Sequence, residues 1–257
     1  MNFKGKRVLI TGSTRGIGRC AAEMFHAAGA SVAINGRSTE TVDSVVRELG
    51  RERVVAAPGD VGTVDGCQLV VDAAVRGLGG LDCLVNNVGT WSAARMMMDV
   101  SEAEWDRVMN VNMRSALFCS KAALPALRAS KGSITLVASM AALVAGPPES
   151  FLYSVAKAGL FGLTRTLAIE VAADGIRVNC VCPGFVDTAE AGRIVGTDAA
   201  SLRATAAKVV PLGRMSSVRE CASSILYLAS DDAAYCTASI LVNDGGCAAN
   251  AGWAARA

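Results

Sequence analysis

The chain predicts an α/β fold: a parallel, doubly wound, seven-stranded sheet with helices on both faces, in one domain spanning residues 1–257. Three observations point there. Short β-branched runs alternate with longer helical stretches, the order that βαβ units produce. Several runs are apolar at nearly every position rather than at every second one, as strands covered on both faces require. The first run leads straight into a glycine-rich turn and then a helix, Thr11-Gly12-Ser13-Thr14-Arg15-Gly16-Ile17-Gly18. A length of 257 residues suits one such domain better than two, and 52% hydrophobic residues supply a large core.

In chain order, strands are expected at Arg7–Thr11, Ser31–Asn35, Val54–Ala57, Asp82–Asn86, Ser133–Ala138, Arg177–Val181 and Ile240–Val242. Helices fall between them, among them Gly18–Ala28, Ser101–Ser130 and Leu152–Ala173. Ser101 and Glu104 have the spacing of a capping box at the start of the second. Pro125 lacks an N–H and clashes with the preceding turn, so it should bend that helix or split its last turn. Residues 187–210 are polar and small without a strand pattern, where a lid over a cleft would sit. Ala248–Ala257 reads as a tail or packing arm.

Several function classes are excluded by composition. A net charge of +2 without a long basic run predicts no nucleic-acid partner and no anionic-membrane surface. The apolar stretch Val8–Ile10 is too short for a signal-peptide core, and no run of roughly 18 apolar residues offers a membrane span, so the expected location is the cytoplasm. The nine cysteines include no CxxC pair. Cys180 and Cys182 would share one face of a strand, but one intervening residue is not a usual zinc spacing. The cysteines read as small buried apolar residues of a reducing compartment. His26, the single histidine, falls in a predicted helix, and no metal site is expected.

The glycine-rich turn is a phosphate cradle by its chemistry. Glycines let the backbone turn sharply and let a phosphate approach closely. The helix that follows presents free N–H groups and its positive dipole end. Further on, Tyr153 and Lys157 lie four apart in a helical stretch and so share a face. Ser139 ends a buried strand, where its hydroxyl faces a strand-end cleft. An ordinary tyrosine, with a pKa of about 10, transfers protons poorly at neutral pH. A nearby ammonium is expected to bring that value down. Tyr153 can then exchange a proton with a carbonyl or alcohol oxygen that Ser139 also holds.

The spacing Gly12-x-x-x-Gly16-x-Gly18 resembles the cofactor loop of the short-chain dehydrogenase/reductase family. Asn86-Asn87-Val88-Gly89 resembles its NNAG motif, with Val88 in place of alanine. Ser139, Tyr153 and Lys157 stand at the family's spacing, and Pro183-Gly184 with Thr188 resembles its PG-x-x-x-T segment. The resemblance runs from about residue 5 to about residue 246. It implies a Rossmann-like fold and alcohol–carbonyl interconversion with a nicotinamide cofactor. It also implies that Gly12, Ser13, Thr14, Arg15, Gly16, Ile17 and Gly18 hold the phosphates, and that Asp60 and Val61 lie near the adenine. Asn87 and Gly89 would lie along the adenosine ribose, Pro183, Gly184, Val186 and Thr188 would close over the cofactor, and Lys157 would contact the nicotinamide ribose. Asn112 would join Lys157 to solvent in a proton relay.

The end of the second strand carries the cofactor preference. A carboxylate there normally binds the ribose hydroxyls of NAD. Here Gly36 takes that place, followed by Arg37 and Ser38. A missing carboxylate removes repulsion against a 2′-phosphate, and Arg37 and Arg15 supply charge-assisted grips on it. NADP(H) is therefore expected, with NAD(H) as the alternative.

Thr90–Met98, Met140–Leu152 and Phe185 to about Val210 should line the substrate pocket. Trp91, Met96–Met98, Leu143, Val144, Phe151 and Phe185 suggest an apolar or mixed small-molecule substrate, and Pro147-Pro148 should stiffen the loop before Tyr153. The pattern resembles 3-oxoacyl-(acyl-carrier-protein) reductases, and also many steroid, sugar, polyol and secondary-metabolite reductases. An NAD-linked alcohol dehydrogenase and a non-catalytic dinucleotide-binding regulator are the alternatives, the second disfavoured by the complete Ser–Tyr–Lys–Asn set. The resemblance also implies a homo-oligomer, tetramer or dimer, pairing through the helices at Ser101–Ser130 and Leu152–Ala173. Ala156, Ala158, Gly159 and Gly162 would allow close approach there.

Overall fold

The computed structural model describes residues 1–92, 94, 96–144, 150–189, 191 and 197–250. All seven expected strands form, as β1 (Arg7–Ile10), β2 (Ser31–Ile34), β3 (Val54–Ala56), β4 (Cys83–Asn86), β5 (Ser133–Val137), β6 (Arg177–Pro183) and, after a small ribbon, β9 (Ile240–Asn243). They make one parallel sheet in the order β3-β2-β1-β4-β5-β6-β9. β6 runs on to Pro183 because its end stays paired with Asn243.

The apolar strands are explained by burial on both faces. Val8 and Ile10 of β1 pack with Phe25 of α1 (Gly16–Ala27), Val45 of α2 (Thr39–Glu48) and Ile225 of a late helix, α8 (Val218–Ala229). Leu9, between them, points the other way. It joins Val70 of α3 (Val64–Leu78), Cys119 of α5 (Ser115–Ser130) and Leu160 of α6 (Phe151–Val171). Each fully buried side chain of this kind contributes about 1.5–3 kcal/mol. Cys180 and Cys182 do share a face, buried in the second cluster. His26 lies in α1 with Nε2 3.1 Å from the Glu52 carbonyl.

The expected helix Ser101–Ser130 is two helices. α4 (Glu102–Met109) passes through a π turn at Asn110–Arg114 into α5. Asn112, in that turn, donates from Nδ2 to the Val108 and Thr90 carbonyls and accepts the Thr90 N–H, at 2.9, 2.9 and 3.0 Å. A side chain that binds both the preceding turn and a neighbouring loop favours the wider turn. Half of the expected capping box forms: Ser101 accepts from Glu104 N, while the Glu104 carboxylate binds Ser92 and Arg107. α5 continues past Pro125 to Ser130, so the last turn does not split.

The strandless segment expected at 187–210 is also revised. Val186–Asp187 (β7) pairs in parallel with Ser216–Ser217 (β8), and Ala199–Val209 is a helix, α7. Pro147-Pro148 and the tail beyond Asn250 lie outside the described residues, as do 190 and 192–196 of the expected lid. No described helix is long and apolar enough to cross a membrane.

Candidate active site

The chain reverses its direction of travel across the sheet between β1 and β4, which opens a crevice at the strands' carboxyl ends. Two asparagines build its floor. Asn35, at the end of β2, accepts the Gly12 N–H at 3.0 Å and donates to the Ala57 and Gly59 carbonyls. Asn87, after β4, donates to the Thr11 and Gly12 carbonyls at 3.0 and 3.2 Å. Asn35 has no role in the sequence reading. Its signal was a polar residue closing an otherwise apolar strand, since a buried amide must find partners.

The glycine loop fits a phosphate. Arg15 precedes α1 in an extended conformation, its side chain does not cap the helix, and no acidic residue occupies the first turn. Gly16 has φ +56, and among the described residues a Cβ there would meet the Thr188 methyl at 3.9 Å. A Cβ at Gly18 would strike the Gly12 carbonyl oxygen and lie 2.5 Å from Asn87 Nδ2. The N-terminus of α1 therefore carries no side-chain cap that would compete with an anion, while the loop packs tightly on itself and on Asn87 at Gly18. Ser13 is committed inside it: its Oγ donates to the Ile10 carbonyl and accepts from Asn35 N, and its N–H binds the Asn35 carbonyl. Thr14 lies at the loop's outer edge, and Ile17 leans on the α1 core.

Around this cradle stand the other expected contacts. A Cβ at Gly36 would come within 2.7 Å of the Thr14 methyl, so an acidic residue there would need Thr14 to move. Arg37 is exposed beside it, and Ser38 Oγ caps α2 by accepting from Thr41 N. Asp60 is exposed with Oδ1 bound to Gly62 N, whereas the Val61 side chain is buried in the core. Pro183 ends β6, Gly184 N binds the Asn243 carbonyl, Val186 is buried, and Thr188 returns toward Gly16.

The proposed reacting groups meet at the other end of the crevice. Tyr153 and Lys157 sit one turn apart on α6, with Nζ 5.7 Å from the phenol ring centre. Lys157 is only 2% exposed and donates to the Val137 carbonyl at 2.7 Å. Gly89 separates it from Asn112: a Cβ there would lie 3.1 Å from Asn112 Oδ1 and 3.2 Å from Lys157 Nζ. Ser139 heads a short turn, Met140–Ala142, where its Oγ accepts the Ala141 N–H at 3.3 Å, and it lies near enough to Tyr153 to lower the phenol's proton affinity. Trp91 covers the phenol, ring centres 4.6 Å apart. Of the expected pocket wall, Met96–Met98, Leu143, Val144 and Phe151 are exposed at the rim, and Phe185 packs toward α7.

Electrostatics revise one expectation. Burial pushes the Tyr153 phenol above its ordinary value, opposed by the nearby Ser139 hydroxyl, rather than Lys157 drawing it down. The ammonium lies by the ring and gives its resolved bond to Val137. Burial in turn pushes Lys157 down to about 8. The Cys180 and Cys182 thiols beside them are pushed up to about 11 and about 12 by burial, so they carry no charge at neutral pH.

A buried lysine depressed from 10.5 to about 8 costs the fold about 3 kcal/mol below pH 8. The unfolded chain binds more protons between about 8 and 10.5, so this cost fades as pH rises through that window. Lys157→Met removes it but orphans the Val137 carbonyl, at about 1 kcal/mol. At pH 7 the variant is expected to melt higher by about 2–8 °C, with the gain lost by about pH 10. Thermal melts at both pH values check this; a lower melting temperature at pH 7 would contradict it.

Among the described residues no group of three His, Cys, Asp or Glu side chains can hold a metal. Residues 12–248 match the family model described as Enoyl-(Acyl carrier protein) reductase. A 3-oxoacyl-(acyl-carrier-protein) reductase of Thermotoga maritima is 35% identical, covering 96% of this chain and 99% of that protein. A meso-2,3-butanediol dehydrogenase of Serratia marcescens is 34% identical over 98% of both chains. A solved Serratia marcescens short-chain dehydrogenase/reductase variant superposes with a TM-score of 0.88 at 29% identity, covering 96% of this chain and all of that one. With a family match over nearly the whole chain and full-length relatives of this identity, the protein is an oxidoreductase of the short-chain dehydrogenase/reductase family.

Proposed function

We propose that the protein interconverts a secondary alcohol and a ketone with NADP(H), Tyr153 serving as general acid and base. The observation that carries this reading is the convergence of Ser139, Tyr153 and Lys157 at the strand ends, beside the glycine loop that opens α1. When bound, the nicotinamide supplies or accepts the hydride. The protein's own groups handle the proton. Ser139 and the Tyr153 hydroxyl hydrogen-bond the substrate oxygen. Burial keeps Tyr153 protonated at neutral pH, the form that can donate a proton to a carbonyl oxygen. Lys157, with Asn112 behind Gly89, returns the proton to Tyr153.

Gly12 to Gly18 hold the phosphates, while Asp60, Val61, Asn87 and Gly89 flank the adenosine. Arg37 and Arg15 select the 2′-phosphate, and the Gly36 contact with Thr14 argues against an acidic competitor. Residues 187–210 serve as the lid and the cytoplasm as the location. The names of two relatives, a 3-oxoacyl-(acyl-carrier-protein) reductase and a meso-2,3-butanediol dehydrogenase, support a thioester-linked ketone or a small vicinal diol as the substrate class. Following NADPH consumption with 3-oxoacyl thioesters and with small vicinal diketones tests the reading. Turnover of either class supports it; cofactor binding with no reduction of any ketone would favour the regulator.

Assembly as a homo-oligomer accords with the exposed face of α6, where Phe151, Val155, Ala158, Gly162 and Ile169 lie in a row. Ala156 and Gly159 do not belong to that face: the first is buried and the second abuts the Met113 sulfur. A monomeric mass by light scattering at micromolar concentration would refute it.

A further inference from the structure

We infer that Trp91 is the positioning residue of this site, held by an α4 clamp so that its indole fixes and dries the Tyr153 ring. The inference rests on Tyr153 being the acid–base group, as proposed above. Residues 90–92 have no regular structure, yet each is fastened. Asn112 holds both backbone groups of Thr90, at 3.0 and 2.9 Å. Arg107 donates to the Trp91 carbonyl at 2.8 Å and to the Thr90 hydroxyl at 3.1 Å. Ser92 donates to the Glu104 carboxylate at 3.0 Å, and the same carboxylate grips Arg107 through both oxygens, at 2.7 and 2.8 Å. The clamp holds the Trp91 carbonyl and the residues on either side of it, and the ring lies on Tyr153 at 4.6 Å with a tilt of 36°.

Among the described residues, Trp91 is the aromatic side chain paired with the phenol. Among the described residues, Ser139 from the end of β5, Lys157 from α6 and Cys182 from β6 are the titratable or polar groups that face it. Burial is the dominant influence on its proton affinity, and the indole is a large apolar surface laid on its ring. An offset aromatic pair also limits ring rotation, so the hydroxyl stays aimed at the substrate oxygen.

The test is Trp91→Ala against Trp91→Phe, each with and without Tyr153→Phe. Tyr153, Tyr227 and Tyr235 are the only tyrosines, so subtracting the Tyr153→Phe spectrum isolates the tyrosinate absorbance of Tyr153. Removing the indole rehydrates the phenolate. In Trp91→Ala the Tyr153 midpoint is expected to fall by about one pH unit, and the alkaline rise of alcohol oxidation to move with it. kcat is expected to fall roughly 3- to 10-fold with little change in cofactor affinity, and Trp91→Phe to restore both. Arg107→Ala, which leaves the indole but unpins its carbonyl, is expected to move the midpoint the same way by less. An unchanged midpoint and pH profile in Trp91→Ala, with only a higher KM for substrate, would overturn the inference and make Trp91 a pocket wall. Full turnover by Tyr153→Phe alone would sink the acid–base reading instead, while the absorbance titration still reports on the stack.

Discussion

Tyr153→Phe is expected to lower ketone reduction by about 10²–10⁴-fold, the usual worth of a positioned general acid. NADPH binding should be largely preserved. The substitution removes one oxygen and keeps the ring, so the Trp91 stack and the α6 packing have no reason to change. What disappears is the proton given to the substrate oxygen. The pH profile separates this from a packing defect. Because burial holds the phenol above its ordinary value, wild-type reduction should not lose the Tyr153 proton below about pH 10. Whatever rate survives in the variant should lack that limb altogether. Wild-type turnover by the variant, or equal losses in cofactor binding and rate, would remove Tyr153 from the chemistry.

Arg37→Ala is expected to weaken NADPH binding roughly 10- to 30-fold while leaving NADH nearly unchanged. The lower part of the usual range for a charged hydrogen bond applies because Arg37 is exposed and screened. Its loss leaves the glycine loop intact, since Asn35 and Asn87 hold that loop from beneath. Raising the salt concentration should shrink the wild-type preference toward that of the variant. Equal loss for both cofactors would mean that Arg37 supports the fold and not the 2′-phosphate.

The seven strands were legible because burial on both faces writes a continuous apolar run, as in Val8-Leu9-Ile10. Tyr153, Lys157 and Ser139 were legible as residue types at a spacing, and the fold does bring them together. The π turn at Asn112 was not, since a helix that widens by one residue keeps nearly the same apolar periodicity as one that does not. The β7–β8 ribbon was hidden by its length of two residues per strand, too short for any alternation. Proton affinity at Tyr153 depends on hydration and distance more than on which neighbour is present. A lysine four residues away therefore suggested the wrong direction. Asn35 and Trp91 act through partners far along the chain; the polar end of an apolar strand marked Asn35 as needing partners, but no local pattern said which residues those would be.

Fluorescence titration of the wild-type protein with NADPH and with NADH is the most direct measurement of the central claim. Clear saturable binding with a strong preference for NADPH is the predicted result, with the glycine loop holding the phosphates and Arg37 and Arg15 the 2′-phosphate. Preference for NADH would contradict the cofactor assignment, and failure to bind either nucleotide would contradict the account of the site as a whole.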